Sequence, residues 1–219
     1  VVTGVQTCAL PISGDRPIVC NGFKDDSYIE VATLAAKLGR NIIPVVENFE
    51  ELQLILKHAR KHGVRPAIGV RVKLGGQGIG RWATTMGPKS KFGLSATQVL
   101  ELVDVLRREE MLDCLQLVHC HPGSQLSDIR AIKDAVGELA HMYAALHQLG
   151  AGLRYIDIGG GLGVDYEGSG QDLPRSLNYS LAEYASAVVY RIAAVCDHAG
   201  IEHPVILSES GRALSAYCS

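Results

Sequence analysis

Three polar segments hold the residue types that could carry out chemistry in this chain of 219 residues. They read HCHPGSQ at 119–125, IDIGGGLG at 156–163 and SESGR at 208–212. The first and third follow short apolar runs, and the second begins with one. Together they offer imidazole rings, hydroxyls, bare glycine backbone, a carboxylate and a guanidinium, which are groups that stack on rings, bind anions and hold protons.

The first segment contains two histidines. Residues two apart on a strand face the same side, so His119 and His121 should point together while Cys120 points away. Three interpretations stay open. The rings could bind a metal ion with further ligands, they could be satisfied by hydrogen bonds at a strand end, or one could lie against a flat cofactor ring. In the third case Gly123 and Ser124 offer an N–H and a hydroxyl to an anion.

The second segment contains a run of glycines. Asp157 precedes Gly159–Gly161, and Gly163 follows. Glycine loses more conformational entropy on folding than any other residue, so the run indicates that bare backbone is required. It could form a tight turn, or a loop whose exposed N–H groups bind a phosphate. A dinucleotide site does not fit, because a long loop rather than a helix follows the glycines.

The third segment contains Glu209 and Arg212. The two could form a surface ion pair. Alternatively, the carboxylate meets a ring nitrogen and the planar guanidinium meets a phosphate. A stacking imidazole, phosphate donors and a carboxylate for a ring nitrogen are the groups that suit pyridoxal phosphate, so the three segments together favour that cofactor.

The elements that must position these side chains alternate along the sequence. Apolar residues recur at intervals of three and four, as in Phe49, Leu52, Leu56 and Ala59, which predicts helices with one buried face. The predicted capping-box pairs are Ser27 with Glu30, Asn48 with Glu51, Ser95 with Gln98, and Ser180 with Glu183. The predicted strands are Ile18–Cys20, Ile42–Val46, Ile68–Val72, Leu115–His119, Tyr155–Ile158 and Val205–Leu207.

Strand and helix in regular alternation predict a parallel α/β sheet, either doubly wound or closed into a (β/α)8 barrel. Polar stretches cluster after the strands, and in a barrel that rim holds the active site. Six strands are too few for a complete barrel, but both ends look cut, so a truncated barrel stays open beside the doubly wound sheet. Residues 1–13 look like a translated sequencing adapter, which leaves 14–219 as the barrel domain.

Composition excludes several other functions. The net charge of −2 and the absence of basic runs argue against nucleic acid and anionic membranes as partners. No stretch approaches the roughly 18 consecutive apolar residues of a membrane span. The six cysteines form no CxxC pair, and most lie in apolar runs, which is typical of a reduced, cytoplasmic protein.

The motifs in this order resemble the fold-type III pyridoxal-phosphate decarboxylases, which have alanine-racemase-like barrels. The resemblance therefore implies that this chain is a partial (β/α)8 TIM barrel, truncated at both ends. Within them, the chain is most similar to the biosynthetic arginine decarboxylase branch. The stretches that carry this resemblance are VCNGFKD at 19–25, KSKFGL at 89–94, LQLVHCHPGSQ at 115–125, IDIGGGLGVDYEG at 156–168, NYSLAEYA at 178–185 and SESGRA at 208–213.

The resemblance implies roles for individual residues. His121 and Glu209 would be the catalytic pair, the first stacking on the pyridine ring and the second pairing with its nitrogen. The implied cofactor-binding residues are His121, Ser124, Gly159, Gly160, Gly161, Glu209, Gly211 and Arg212. The implied substrate-binding residues are Asp157, Gly163, Asp165 and Tyr166.

The resemblance also implies an activity, namely decarboxylation of L-arginine to agmatine and carbon dioxide on the route to polyamines such as spermidine. It implies a Mg²⁺ requirement, with no ligands that the sequence identifies, and a homo-oligomeric parent protein. Two alternatives remain. One is a related decarboxylase acting on diaminopimelate or carboxynorspermidine, and the other is a barrel that binds pyridoxal phosphate without catalysis.

One catalytic group of that family has no counterpart here. Its Schiff-base lysine lies on the first barrel strand, upstream of every residue in this chain. Lys24 is not a substitute, because it falls in a polar turn after a different strand. The C-terminal domain that completes the family's site is also missing, so we expect the chain by itself to be inactive.

Overall fold

The computed structural model describes residues 16–75, 92–164, 177–211 and 213. Strands and helices alternate throughout this part of the chain, with one short 3-10 turn at Leu112–Cys114. The strands are β1 (Ile18–Cys20), β2 (Ile42–Val46), β3 (Ile68–Arg71), β4 (Leu115–His119), β5 (Tyr155–Asp157) and β6 (Val205–Leu207). The helices are α1 (Asp26–Lys37), α2 (Phe49–His62), α3 (Ala96–Arg108), α4 (Ile129–Gln148) and α5 (Leu181–Ala199).

The six strands form one parallel sheet in the order β1-β2-β3-β4-β5-β6. A doubly wound sheet would reverse its order at a switch point, so the unbroken order decides for the barrel. The predicted partial (β/α)8 barrel is therefore confirmed. Two strands are one residue shorter than predicted: Val72 forms only an isolated bridge with Leu94, and Ile158 lies beyond β5.

Helix caps agree with the sequence in part. Ser95 with Gln98 and Ser180 with Glu183 form complete capping boxes. Asn48 caps α2 through the Glu51 N–H, but the Glu51 side chain turns away to other partners. The prediction for Ser27 is wrong, because the Asp25 carboxylate caps α1 two residues earlier by accepting from the Tyr28 N–H.

Two apolar layers hold the sheet. The larger lies between the sheet and the helices and includes Val70, Val118 and Ile156, all essentially inaccessible. The smaller lies on the inner face of the sheet around Ile43, Val45 and Leu117. Gly69 lies between the last two, where an added Cβ would be 3.0 Å from both side chains. Successive residues of β3 therefore alternate between these layers, as the twofold strand period requires. In β4 the alternation is interrupted between Leu115 and Leu117, where the register with β3 shifts.

Cysteines in the described part of the chain lie in the interior, as their positions in apolar runs indicate. The described cysteines, Cys20, Cys114, Cys120 and Cys196, are all buried free thiols, so they pack as small apolar groups. Among the described residues, no helix is both long and apolar enough to cross a membrane.

Candidate functional site

The inner face of the sheet changes from apolar to polar at the carboxyl ends of the strands. The twofold period that points Val45 and Leu117 inward also points Glu47 and His119 inward. The same rule places one polar residue at the end of every strand. These residues, here called the polar layer, are Asn21, Glu47, Arg71, His119, Asp157 and Glu209.

Glu209 lies at the centre of the polar layer. Its Oε1 accepts a hydrogen bond from the Asn21 amide at 2.5 Å, and its backbone N–H donates to the Gly159 carbonyl at 2.8 Å. Burial raises the pKa of the Glu209 carboxyl and the Asp157 carboxylate raises it further, while His119, Asn21 and Arg71 oppose these effects. A second hydrogen-bond donor or a positive charge near this carboxyl group would therefore stabilise its ionised form.

Beside Glu209, His119 and Asp157 form a fully buried pair. His119 Nδ1 lies 3.1 Å from Asp157 Oδ2, and neither side chain is exposed. The two groups are poorly aligned for a hydrogen bond, so both ring nitrogens of His119 and this carboxylate oxygen lack a hydrogen-bond partner among the described residues. The other oxygen of Asp157 accepts from the Gly159 N–H at 2.8 Å, which fixes the start of the glycine loop.

Arg71 and Glu47 complete the polar layer on the other side. Arg71 Nη1 contacts both carboxylate oxygens of Glu47, at 3.0 and 3.1 Å. Glu47 Oε1 also accepts from the Gly22 N–H at 2.8 Å, which ties the loop after β1 to β2. The Arg71 guanidinium lies 5.3 Å from the centre of the Phe92 ring, within cation–π range.

Sequence reasoning missed Asn21, Glu47 and Arg71 as members of this layer. Each one directly follows, or ends, an apolar strand at an inward position of the twofold period. That signal was present in the sequence, since Glu47 is two residues beyond Val45 and Arg71 two beyond Gly69.

A small cavity of about 130 Å³ opens above the polar layer at the rim. Six of the residues that the sequence singled out for cofactor binding line it, namely His121, Ser124, Gly160, Gly161, Glu209 and Gly211. They come from the loops after β4, β5 and β6, so the parallel register of these three strands brings together segments almost 90 residues apart, as 121 and 209 show.

His121 stands at the exposed rim of this cavity, while Cys120 packs outward in the main core, as predicted. The Gly123 N–H donates to His121 Nδ1 at 3.3 Å, so the neutral ring carries its proton on Nε2. Partial burial lowers the pKa of His121, and nearby Arg71 and His119 act in the same direction. The arrangement therefore favours a neutral imidazole beside the cavity.

The glycine loop brings backbone close to the cavity. Gly159 and Gly161 adopt positive φ angles of +64° and +106°, which other residues rarely accept. A Cβ on Gly160 would lie 3.1 Å from the Glu209 carbonyl oxygen and 3.4 Å from His121 Nε2. The loop thus needs glycine for its turn at 159 and 161, and for close approach at 160.

Of the remaining predicted site residues, Asp157 ends β5 and Gly163 lies in the loop that follows it. Asp157 is fully buried with its carboxylate on Gly159, and the Gly163 N–H donates to the Tyr179 hydroxyl at 3.1 Å. Their implied contact with substrate stays a prediction. The Gly159 N–H already donates to Asp157. Gly159 would therefore contribute to phosphate binding through the turn that it forms. Asp165, Tyr166, Arg212 and the KSKFGL stretch up to residue 91 lie outside the described residues, as does the adapter-like segment 1–13.

Lys24 differs from its expected setting in a polar turn. Its side chain is fully buried, with Nζ 3.0 Å from Glu51 Oε2 and donating to the Gly22 carbonyl. Glu51 also accepts from the backbone N–H groups of Lys24 and Glu47. This buried pair fastens the loop after β1 to α2.

Comparison with known proteins identifies the family to which this chain is similar. Residues 5–216 match the family model described as pyridoxal-dependent decarboxylase, pyridoxal binding domain. Among curated relatives, the biosynthetic arginine decarboxylase of Rhodopirellula baltica is 54% identical over 203 residues, and that of Neisseria meningitidis 50% over 200. These matches cover 93% and 91% of this chain, but only 30% and 32% of the relatives.

Solved structures agree with the sequence comparison. The biosynthetic arginine decarboxylase of Campylobacter jejuni superposes with a TM-score of 0.78 at 35% identity, over 91% of this chain and 32% of that one. Diaminopimelate decarboxylase from Helicobacter pylori, complexed with L-lysine, gives 0.74 at 26%, over 95% and 49%. Since the family model spans nearly the whole sequence, the chain belongs to the pyridoxal-dependent decarboxylase family, in its pyridoxal binding domain.

Proposed function

We propose that the complete protein containing this chain removes the carboxyl group of L-arginine, giving agmatine and carbon dioxide, with pyridoxal phosphate as cofactor. The observation that carries this proposal is the convergence of six predicted cofactor-binding residues on one rim cavity. Relatives that are 50% and 54% identical to this chain are named biosynthetic arginine decarboxylases, which supports arginine as the substrate. The chain spans about 30% of their length, so the activity is proposed for the whole protein.

The cavity fits the cofactor in three respects. Its floor is the Glu209 carboxyl group, whose pKa is raised by burial, and a ring N–H that donates to it would stabilise its ionised form. Its wall contains the His121 imidazole, whose lowered pKa favours the neutral form that can stack on a flat ring. Its glycine side has no Cβ between the Gly160 backbone and His121, so an anion can approach the backbone closely.

Pyridoxal phosphate, when bound, supplies an electron sink for the electron pair that remains when the carboxylate departs. Glu209 would keep a proton on the pyridine nitrogen by accepting its hydrogen bond. His121 would stack on the ring and orient it. Ser124, Gly160 and Gly161 would donate to the phosphate, with Gly211 and Arg212 beside them. Asp157 would act indirectly, because it holds Gly159 and stabilises the turn from which the other glycines extend.

The Mg²⁺ requirement that the resemblance implies finds no fitting ligand set in the described part of the chain. Mg²⁺ prefers oxygen ligands and keeps several waters. Both clusters of three or more ligand side chains among these residues include histidine, and the one at the rim contains His119. We therefore derive no role for Mg²⁺ from this chain. A cytoplasmic location and a homo-oligomeric parent remain parts of the proposal.

The test is a substrate comparison with the purified complete protein loaded with pyridoxal phosphate. Release of carbon dioxide should be fastest with L-arginine, and agmatine should accumulate in equal amount. Faster release from diaminopimelate or carboxynorspermidine would reject arginine as the substrate, but the protein would still be a decarboxylase of this family. A protein that shows the cofactor's visible absorbance but turns over none of these substrates would establish the non-catalytic alternative.

A further inference from the structure

We propose a second binding site, for a zinc ion, on the outer wall of the barrel where α1 packs against α2. Its ligands are Glu30 of α1 and His58 and His62 of α2. These side chains bring one carboxylate oxygen and two ring nitrogens within 4.8 Å of one another. The site is separate from the rim cavity, which is formed by the loops after β4, β5 and β6.

Helix periodicity creates the cluster. His58 and His62 are four residues apart on α2, so their rings lie on one face, stacked with centroids 6.0 Å apart and planes 10° apart. Asp26 and Glu30 are four apart on α1 and face them. Two histidines at this spacing, with a carboxylate from a neighbouring element, are a ligand set that zinc commonly takes.

The orientation of His58 is the second, independent observation. Its Nε2 lies 2.9 Å from Asp26 Oδ1, and the carboxylate can only accept there, so the ring proton is on Nε2. The other nitrogen, Nδ1, carries the lone pair. It is buried and has no hydrogen-bond partner in the part of the chain that the structure describes, although the nearest oxygen of Glu30 is 3.8 Å away. A buried lone pair aimed at a carboxylate is a costly arrangement that a cation between them would relieve.

The same geometry supplies the outer support that metal-binding histidines usually have. In such sites the nitrogen that does not bind the metal donates to a carboxylate, which fixes the tautomer and the ring orientation. Asp26 occupies that position behind His58.

The distances also suit zinc. A tetrahedral ion with bonds of about 2.1 Å has ligand atoms about 3.4 Å apart. In the structure His62 Nε2 donates to Glu30 Oε1 at 3.0 Å, so zinc binding would leave the His62 ring proton on Nδ1, and His58 Nδ1 lies 3.8 Å from the same oxygen. Shifts of a few tenths of an ångström would bring both nitrogen–oxygen distances to about 3.4 Å, and water would complete the coordination.

Two lysines hold the carboxylates when no metal is bound. Lys61 Nζ is 2.6 Å from Glu30 Oε1, and Lys57 Nζ is 2.6 Å from Asp26 Oδ1. Both ammonium groups are more than half exposed, so either can swing into solvent at little cost. Zinc would replace the Lys61 contact and cross-link α1 to α2, which makes the site structural rather than catalytic.

Calorimetric titration of Zn²⁺ into the chelator-stripped complete protein tests the proposal. The wild type should bind at least one equivalent, and His62→Gln should bind one equivalent fewer while its circular dichroism is unchanged. His203→Gln is the matched control, because His203 also pairs with a carboxylate, Asp197, at 2.8 Å but belongs to no cluster of three ligand groups among the described residues. It should bind as the wild type does.

A second measurement covers the buried ligand. Zn²⁺ should raise the thermal unfolding midpoint of the wild type in a concentration-dependent manner, because only the folded state brings the three ligands together. That shift should disappear in His58→Gln and persist or grow in Lys61→Gln, which frees Glu30. An equal zinc stoichiometry in His62→Gln and wild type, or an equal midpoint shift in all variants, would overturn the proposal.

Discussion

The Asn21 amide and the Glu209 carboxylate are joined by a hydrogen bond of 2.5 Å, although 188 residues separate them in the sequence. They follow β1 and β6, which are the two ends of the sheet in the described part of the chain. The sheet therefore curves far enough for its first and last strands to share one polar group. This contact places Glu209 inside the barrel mouth rather than on the outer surface.

In the complete protein with the proposed activity, Glu209→Gln should keep cofactor affinity and lose most of the decarboxylation rate. Serine, glycine and arginine groups would still bind the phosphate, but a neutral amide cannot stabilise a protonated ring nitrogen in the transition state. Loss of a preorganised charge of this kind costs on the order of 3 kcal/mol, or roughly a hundredfold in rate. Turnover of L-arginine at confirmed cofactor saturation measures it, and near-normal turnover would give Glu209 a structural role only.

The pH dependence of stability should reveal the same carboxyl group in the cofactor-free protein. Its folded pKa is raised, so its stabilising contribution is present at low pH and is lost as the pH rises above about 4.5 through the folded value. Glu209→Gln should therefore gain stability relative to wild type between pH 4.5 and neutrality. Urea unfolding at several pH values measures the difference.

Glu183→Gln is the control of opposite sign. The Ser180 backbone N–H and hydroxyl hold the pKa of Glu183 below its ordinary value. Its contribution is present above the ordinary carboxyl value and is lost at lower pH, so this variant should fall behind the wild type as the pH rises. A Glu209→Gln curve parallel to that of the wild type would show that burial of Glu209 has no energetic consequence.

His121→Ala should weaken the visible absorbance band of bound cofactor, whereas His119→Ala should retain it. His121 lines the cavity, while His119 is fully buried beneath it beside Asp157. Removing the buried ring should instead lower the free energy of unfolding, by roughly 1–3 kcal/mol. Absorbance titration and urea unfolding of both variants separate these effects, and the reverse pattern would exchange the two assignments.

Gly159→Ala and Gly160→Ala should damage different properties. At 159 the φ of +64° and the close carbonyl of Cys120 make any Cβ strained, so stability should fall by at least about 1 kcal/mol. At 160 the φ angle is one that alanine adopts, but the Cβ would lie 3.1 Å from the Glu209 carbonyl oxygen and narrow the space beside His121. Overpacking costs on the order of 1–3 kcal/mol, so cofactor affinity should drop roughly tenfold or more. Equal affinity in the Gly160→Ala protein would remove that residue from the site.

Lys24→Met should be strongly destabilising, because it leaves Glu51 as an unpaired buried charge. Breaking such a pair from one side costs about 3–5 kcal/mol. Lys24→Met combined with Glu51→Gln should recover part of the loss, since the amide is neutral and can still accept from the two backbone N–H groups. Lys57→Met, on the same helix as Glu51 but exposed, should leave the unfolding midpoint nearly unchanged. If Lys24→Met behaves like Lys57→Met, the buried pair does not hold the loop.

The sequence by itself determined the alternation of strands and helices, most of their bounds and the three segments that meet at the rim. These features depend on local patterns, because side-chain period, capping residues and chain order are readable within a few residues. The family resemblance was equally local, since its motifs are short contiguous stretches such as 156–168.

Only the tertiary structure decided which distant groups meet. The choice of barrel over doubly wound sheet came from the strand order, and the pairing of Asn21 with Glu209 from the curvature that this order produces. Burial of Lys24 against Glu51 and the lone pair of His58 facing Glu30 depend on how α1 and α2 pack. Such contacts follow from the distance between elements, and no periodicity within a single element encodes that distance.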